Sequence, residues 1–325
     1  MLGELGNRIA DMGAQGVAVF FVISGYSVAS SYVASNSYWD YINKRLWRIA
    51  PLYFFWIGVA TLTGLTAIYW QSQFNTTINT YNIFMHLAFL SFLDYKIANS
   101  VLGVEWSIPI EVFWYFLIPF WMSLIQTRKQ MVVSILGSIF FYIMLIKFSR
   151  LLPLPSIDAE LVVKWSPFPY AMSFCLGIVV FRLRNLNINF SKWGDFTLVT
   201  VTLTTGLFVM YANLKFGYLF FSLITFVIIL FGSRKAFLYR CIFTNKIVVY
   251  LGTISYGIYL CHLSLLAIFA RFNLISNDGS WRTFMVLSIC AILVSSLTYF
   301  LVELPFQKLG KVFYILTSSS TRPYV

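Results

Sequence analysis

The chain has 325 residues, of which 59% are apolar or aromatic and only 10% are charged, and its mean hydropathy is +0.79. Soluble domains carry about 25% charged residues, so the composition excludes a water-soluble enzyme, a disordered chain and a nucleic-acid-binding protein. The net charge of +12 is typical of a membrane protein that keeps Lys and Arg on its cytoplasmic side. We therefore expect an integral membrane protein that has no nucleic-acid partner.

Hydropathy locates the membrane spans, because a helix needs about 20 mostly apolar residues to cross a bilayer. Nine stretches meet this length, at 14–34, 49–70, 104–125, 131–149, 166–183, 194–212, 215–233, 247–270 and 283–304. A tenth apolar run at 81–94 is shorter and contains Asn82, His86 and Asp94. Whether this run crosses the membrane decides the topology of everything that follows it.

The distribution of Lys and Arg resolves that choice. If 81–94 does not cross, fifteen of these residues lie inside and seven outside, whereas a crossing gives ten inside and twelve outside. The positive-inside rule favours the first topology. We predict an all-α polytopic bundle of nine spans, a re-entrant or interfacial 81–94 and a cytoplasmic C-terminus. Residues 1–312 form the membrane core in this interpretation, and 313–325 form a short cytoplasmic tail.

Two ionisable residues fall well inside predicted spans. Glu111 lies about seven residues into its span, and His262 lies about eight residues from the outer end of its own, which places both on the order of 10–12 Å below the outer face. A histidine next to a carboxylate can remove a proton from a hydroxyl. The same two residues can instead form an interhelical hydrogen bond that fixes packing, and the residues alone leave both interpretations open.

Three cations precede the second predicted span: Lys44, Arg45 and Arg48. They can act as topology signals alone. They can also bind an anionic cytosolic ligand, because the forked guanidinium donors suit phosphate. The four cysteines show neither the spacing of a zinc site nor that of a disulfide framework, so we expect no metal.

Several other polar or aromatic positions have a structural and a functional interpretation. Ser24 lies among small residues that favour close helix packing, and it is also a candidate nucleophile. Glu105 and Trp106 begin a span at the outer interface, where tryptophan is a common anchor. His86 is either an ordinary interfacial histidine or part of a substrate entrance.

Five short elements occur in a fixed order along the chain. The first comprises Gly16, Val17, Phe20, Phe21, Val22, Ile23, Ser24, Gly25 and Tyr26, and the second comprises Arg45, Arg48, Ile49, Pro51 and Tyr53. The third comprises Trp106, Ile108 and Glu111, the fourth Leu251, Gly252, Ile254, Ser255, Tyr256, Ile258, Tyr259, Leu260 and His262, and the fifth Val302, Glu303 and Pro305. Each element is weak by itself. Together they resemble the integral membrane acyltransferase family 3 over nearly the whole chain.

The resemblance implies a membrane-embedded O-acyltransferase of the bacterial inner (plasma) membrane. Such an enzyme moves an acyl group, usually acetyl, from cytosolic acetyl-CoA to a hydroxyl of a lipid-linked or nascent cell-envelope polysaccharide, without a metal. In this interpretation Arg45 and Arg48 bind the coenzyme A phosphates, and Glu111 and His262 act in catalysis. Ser24, Trp106, Ser255, Tyr256 and Tyr259 are candidates for the substrate cleft.

The chain departs from the family pattern at its start. The family has ten spans, and its first span carries a basic residue followed by a histidine, both tied to activity. We expect this span to be missing here, through a late start codon or a shortened gene, so His262 does not match the family's leading histidine by position. Two alternatives follow: a transporter or flippase for glycan or lipid, and a catalytically inactive homologue.

Overall fold

The computed structural model describes residues 15–184, 200–201, 204–205, 217–232, 241, 243–274 and 281–319. Within these residues all regular structure is helical, and no β-strand occurs. The helices are α1 (Gly16–Val33), α2 (Tyr38–Thr63), α3 (Ile68–Phe74), α4 (Thr80–Leu87), α5 (Ser107–Leu124), α6 (Arg128–Ser149), α7 (Ser156–Lys164), α8 (Ala171–Leu183), α9 (Gly217–Gly232), α10 (Lys246–Arg271), α11 (Trp281–Thr298) and α12 (Leu304–Ser319). A π-helical turn, Tyr299–Glu303, joins α11 to α12.

Local sequence explains where several helices begin and end. The Ser37 hydroxyl accepts from Asp40 N at 3.1 Å and caps α2, and Asn79 caps α4 by accepting from Asn82 N at 2.9 Å. Side-chain oxygens at this position satisfy backbone N–H groups that have no partner within the helix. Gly64 ends α2 in the left-handed region, at φ +68°, which costs glycine nothing.

The described residues contain six helices that are long and apolar enough to cross a membrane, or seven if the bent pair Ile157–Lys164 and Phe168–Leu183 is one span. This count is lower than the nine spans predicted from hydropathy. The predicted span 194–212 lies largely outside the described residues. Of the predicted span 215–233, the structure describes α9, a shorter apolar helix of 16 residues, and 215, 216 and 233 lie outside the described residues.

Segment 81–94 contains α4 and a short 3₁₀ turn, Ser91–Leu93. The eight residues of α4 extend about 12 Å, whereas the hydrocarbon core is about 30 Å thick. The helix α4 alone is therefore too short to span a hydrocarbon core of this thickness. At the other end of the chain, α12 continues to Ser319 and includes the first part of the predicted tail, and 320–325 lie outside the described residues.

The chain divides into two compact units, one of residues 1–34 and 113–249 and the other of residues 35–112 and 250–325. In the first unit, α1 packs on α8 through facing glycines. A Cβ at Gly25 would lie 2.5 Å from Phe174 O, and a Cβ at Gly177 would lie 2.4 Å from Val22 O. The two helices approach closely because neither glycine has a side chain, as in small-residue contacts between membrane helices.

The second unit is built around α2, α10 and the chain between α2 and α5. The N-terminal part of α2 packs on α12, where a Cβ at Gly310 would lie 2.4 Å from the Trp47 ring. Trp47 also stacks on Phe306 with ring centroids 6.1 Å apart. These contacts fix the segment of α2 that carries Arg45 and Arg48.

Candidate functional site

The second unit contains a buried, non-helical segment between α4 and α5. Residues 97–103 are all buried, and side chains of α3 bind the carbonyl groups of this segment. Trp70 Nε1 donates to Lys96 O at 2.8 Å, Gln71 Nε2 to Ser100 O at 2.9 Å and Tyr69 Oη to Gly103 O at 3.3 Å. Irregular backbone at membrane depth is tolerated only where protein groups or a cavity satisfy it, and here side chains do so.

A fully buried histidine and carboxylate meet beside this segment. His86 and Glu105 are both 0% exposed, and His86 Nε2 lies 3.4 Å from Glu105 Oε1. Glu105 also accepts from two backbone groups, Val101 N at 2.7 Å and Val104 N at 3.0 Å. The carboxylate therefore closes the segment into a tight turn and places His86 against it.

One hydrogen bond fixes the His86 ring. His86 Nδ1 lies 2.8 Å from Asn82 O. A carbonyl oxygen only accepts, so Nδ1 carries a proton and donates. Nε2 lies 3.4 Å from Glu105 Oε1 and makes no hydrogen bond among the described residues. The ring is thus held through Nδ1, with Nε2 facing the Glu105 carboxylate.

The backbone after His86 is strained. Phe89 adopts φ +57°, in a region that bulky side chains rarely occupy. Its ring stacks on Tyr53 with centroids 5.2 Å apart and lies 5.4 Å from the Phe54 ring. These contacts with α2 hold Phe89 in place, and such strain is common where a fold positions a functional group.

Tyr259 of α10 joins the same region from the far end of the sequence. Its hydroxyl donates to Val104 O and accepts from Ser107 Oγ at 2.9 Å. The hydroxyl also interacts electrostatically with the carboxylates of Glu105 and Glu111. Tyr259 therefore ties α10 to the residues that begin α5.

His262 lies one turn beyond Tyr259 and is half-buried. The centroids of the Tyr259 and His262 rings are 6.1 Å apart. Its Nδ1 lies 2.8 Å from Tyr259 O and 3.2 Å from Ile258 O, so this nitrogen is the donor. Within the described part of the chain, these two carbonyls are its only hydrogen-bond partners. The helix thereby fixes the ring and leaves Nε2 for another group.

Glu111 is 3% exposed, near the start of α5. It interacts electrostatically with Tyr41 and with Tyr259. The two hydrogen bonds of His262 go to Ile258 O and Tyr259 O, so Tyr259 interacts with both His262 and Glu111. Their cooperation in catalysis stays a prediction.

The two arginines of α2 differ in their surroundings. Arg45 is 5% exposed, and it shares an electrostatic interaction with Tyr41. Arg48 is exposed and interacts with the buried Glu303, whose Oε1 accepts from Gln307 Nε2 at 3.0 Å. A buried guanidinium keeps its full charge, so Arg45 is a fixed positive group near the start of α2.

Sequence comparison decides the family. The model of the acyltransferase 3 family, described as an acyltransferase domain, matches residues 3–300. The chain belongs to this family. It is therefore an acyltransferase. The apolar helices described above agree with a multi-pass membrane protein of this family.

Curated relatives of this acyltransferase are distant. A protein of Acidianus two-tailed virus that carries the name of an acetyltransferase is 27% identical over 261 residues, or 76% of this chain and 72% of the viral protein. A Staphylococcus aureus (strain COL) protein named as an O-acetyltransferase is 23% identical over 334 aligned residues, or 92% of this chain. Nodulation protein 10 of Rhizobium leguminosarum bv. viciae is 28% identical over 142 residues, or 38% of this chain and 39% of that protein.

The chain spans about half the length of the staphylococcal relative, 53% of it. No solved structure matches the chain. Among the described residues no group of three or more His, Cys, Asp and Glu side chains is placed to hold a metal ion.

The remaining predicted residues of the acyltransferase fall in different places. Ser24 is buried in α1, which belongs to the first unit. Trp106 is half-buried at the start of α5, and Tyr256 Oη donates to Ile49 O at 3.0 Å. Ser255 is exposed and donates to Gly252 O of its own helix at 2.8 Å. The second unit thus brings together the arginines, Trp106, Glu111 and α10, but Ser24 is not part of it.

The sequence interpretation missed the pairing of His86 with Glu105, although α4 carries a signal of it. Asn82 and His86, four residues apart on one helical face, are both 0% exposed, whereas Tyr81 and Phe84 are 51% and 61% exposed. Asn82 and His86 face inward together with Met85, whereas the large aromatic residues Tyr81 and Phe84 face outward. Polar groups in membrane proteins usually face the protein interior, so this pattern indicates a buried polar contact.

Proposed function

We propose that the protein moves an acyl group, acetyl in the simplest case, from cytosolic acyl-CoA to a hydroxyl of a cell-envelope or exported polysaccharide. Family membership supports acyl transfer, and the names of the viral and staphylococcal relatives support acetyl as the group. The acceptor is a lipid-linked or nascent surface glycan, and the protein is a multi-pass protein of a bacterial plasma membrane with a cytoplasmic C-terminus.

The orientation of the His262 ring is the observation that carries this proposal. Acyl transfer to an alcohol needs a base that takes the hydroxyl proton as the oxygen attacks the carbonyl carbon. The carbonyls of Tyr259 and Ile258 hold the Nδ1 proton of His262, so Nε2 offers a lone pair. In the proposed mechanism the negative charge of Glu111 favours the positive charge that His262 acquires when it takes the hydroxyl proton.

Arg45 and Arg48 bind the phosphates of acyl-CoA in the proposed mechanism. They lie three residues apart on α2 and therefore on neighbouring positions of one helical face. The packing of Trp47 against Gly310 and Phe306 fixes this part of the helix. The phosphates would then sit near the start of α2, and the thioester would extend along the helix.

The test of the base is acetylation of envelope glycan in membranes that contain the protein, with isotope-labelled acetyl-CoA and detection by mass spectrometry. We expect His262→Ala to lower transfer about 100-fold or more, the usual contribution of a general base. Glu111→Gln should also lower it, and the double variant should be little worse than the worse single one, because members of one network are not additive. Glu160→Gln is the matched control, because Glu160 is exposed on α7.

The test of the phosphate site uses Arg45→Lys and Arg48→Lys, with Arg128→Lys on an exposed part of α6 as the control. Lysine keeps the charge but loses bidentate binding, so we expect normal membrane insertion and a raised KM for acyl-CoA. Full activity of both lysine variants would show that the arginines set topology only. Movement of glycan or lipid that is indifferent to acyl-CoA would favour a transporter.

A further inference from the structure

Two side chains on the buried face of α2 carry polar hydrogens that have no acceptor among the described residues. Tyr53 is 0% exposed and Trp56 is 5% exposed, and neither Tyr53 Oη nor Trp56 Nε1 makes a hydrogen bond. Most buried polar groups in proteins are paired, and an unpaired one destabilises the fold. Two such donors one helical turn apart therefore require an explanation.

Comparable side chains of the same unit do find partners. Tyr69, Tyr256 and Tyr259 each donate to a backbone carbonyl, and Trp70 Nε1 does so at 2.8 Å. These four aromatic donors therefore have acceptors within the unit. The absence of an acceptor at Tyr53 and Trp56 points to an acceptor that comes from outside the chain.

Tyr53 and Trp56 lie on the same face of α2. Residues three apart have Cβ atoms about 5–6 Å from each other. The stack on Phe89, 5.2 Å between centroids and 23° between planes, fixes the Tyr53 ring. Tyr53 interacts electrostatically with Glu105, whose two oxygens accept from Val101 N and Val104 N.

The same helix carries the proposed phosphate site. Tyr53 follows Arg45 by eight residues and Trp56 follows it by eleven, which corresponds to about 12 Å and 17 Å along the axis. Eleven residues make three turns, so Arg45 and Trp56 lie on one line of the helix, and both are buried. A ligand that binds Arg45 with its phosphates and extends along α2 would reach both donors.

We propose that Tyr53 Oη and Trp56 Nε1 bind the carbonyl oxygen of the acyl-CoA thioester and stabilise its negative charge during transfer. This inference rests on the proposed acyl transfer. The acceptor hydroxyl oxygen forms a bond to the carbonyl carbon, its proton passes to the base, and the C=O electron pair moves onto the carbonyl oxygen. The pair then returns, the C–S bond breaks, and the coenzyme A thiolate leaves and takes the proton.

The first experiment compares Tyr53→Phe and Trp56→Phe with Trp39→Phe, a control at a 71% exposed position of the same helix. Turnover is followed as release of free coenzyme A thiol in membranes, and thermal stability is measured on the purified full chain. Loss of one donor to a developing oxyanion lowers kcat about 100-fold, with little change in KM. Stability should stay equal or rise in Tyr53→Phe, because it removes only an unpaired buried donor, whereas Trp56→Phe also leaves a cavity.

A parallel fall of stability and turnover in Tyr53→Phe would overturn the proposal, because it would show that this hydroxyl serves the fold alone. Unchanged kcat in both variants would overturn it as well. The control variant should keep the turnover of the natural sequence.

The second experiment measures binding of acetyl-CoA and of ethyl-CoA, a thioether that lacks the carbonyl oxygen. The natural sequence should bind acetyl-CoA about three to ten times more tightly, the effect of one or two net hydrogen bonds, and the Tyr53→Phe/Trp56→Phe double variant should bind both equally. A preference that survives in the double variant overturns the role of the two donors and leaves acyl-CoA as the donor substrate. No binding of either compound to the natural sequence overturns the proposed function itself.

Discussion

Removal of the Glu105 charge tests the buried pair most directly. Glu105→Gln keeps the size of the side chain, but its amide has one oxygen where the carboxylate offers two. One backbone N–H, of Val101 or Val104, then faces an NH₂ group. The loss of a hydrogen bond to a charged group costs about 1.5–3 kcal/mol.

The same substitution replaces the carboxylate that lies 3.4 Å from His86 Nε2, at 0% exposure of both side chains. We therefore expect the free energy of unfolding to fall by at least the cost of the lost hydrogen bond, about 1.5–3 kcal/mol. The assay is unfolding of the purified protein in mixed micelles as the fraction of denaturing detergent rises.

The double variant Glu105→Gln/His86→Gln should be less destabilised than the sum of the single variants, with a coupling of up to about 3 kcal/mol. Glu160→Gln, on an exposed part of α7, is the control for loss of a carboxylate and should stay within about 0.5 kcal/mol of the natural sequence. A change below about 1 kcal/mol for Glu105→Gln, or strict additivity in the double variant, would refute the buried pair.

Three further predictions concern packing, backbone strain and pH. A Cβ at Gly177 would lie 2.4 Å from Val22 O, so Gly177→Ala should destabilise the protein by about 1–3 kcal/mol. The control is Gly58→Ala, whose Cβ would have no atom within 4 Å and which should be neutral or stabilising by up to about 1 kcal/mol. Equal effects of the two substitutions would contradict the close approach of α1 and α8. Gly103→Ala should cost about 1–2 kcal/mol or more in the same unfolding assay, because φ is +81° and L-residues are strained there. Burial, followed by the charge of Glu105, raises the pKa of Tyr69, so the unfolded chain loses this proton first, near pH 10. The stability that Tyr69 contributes should then fall as the pH rises above 10, and the difference in unfolding free energy between the natural sequence and Tyr69→Phe should shrink; a difference independent of pH would contradict the shift.

Hydropathy predicted the long helices well where apolar residues fill a whole span, as in α1, α5 and α10. It placed the second span at 49–70, but α2 runs from Tyr38 to Thr63. The charges near the start of the helix caused this error, because they lower the local hydropathy. The structure tolerates them because Lys44 Nζ binds Asp40 Oδ2 at 2.7 Å and Arg45 is buried, a pairing that a sliding average of hydropathy does not register.

The site was predicted only in part, for a related reason. Depth along a helix can be counted from the sequence, which is how Glu111 and His262 were singled out. The contact of Tyr259 with Val104 joins residues 155 positions apart, and no local pattern records it. His86 and Glu105 meet because the segment between them folds back without regular structure, so neither helical nor strand periodicity gives their distance.

The second unit is built from two separate stretches of the chain, and this has a consequence for biosynthesis. Residues 35–112 are synthesised before 113–249, which belong to the first unit, and only then do 250–325 complete the second one. At 5–20 residues per second, the earlier part waits on the order of ten seconds for α10. Until then the carbonyl of Val104 lacks the Tyr259 hydroxyl that will bind it. The polar turn between α4 and α5 therefore stays without this partner during most of translation, and the second unit becomes complete only after α10 has been made.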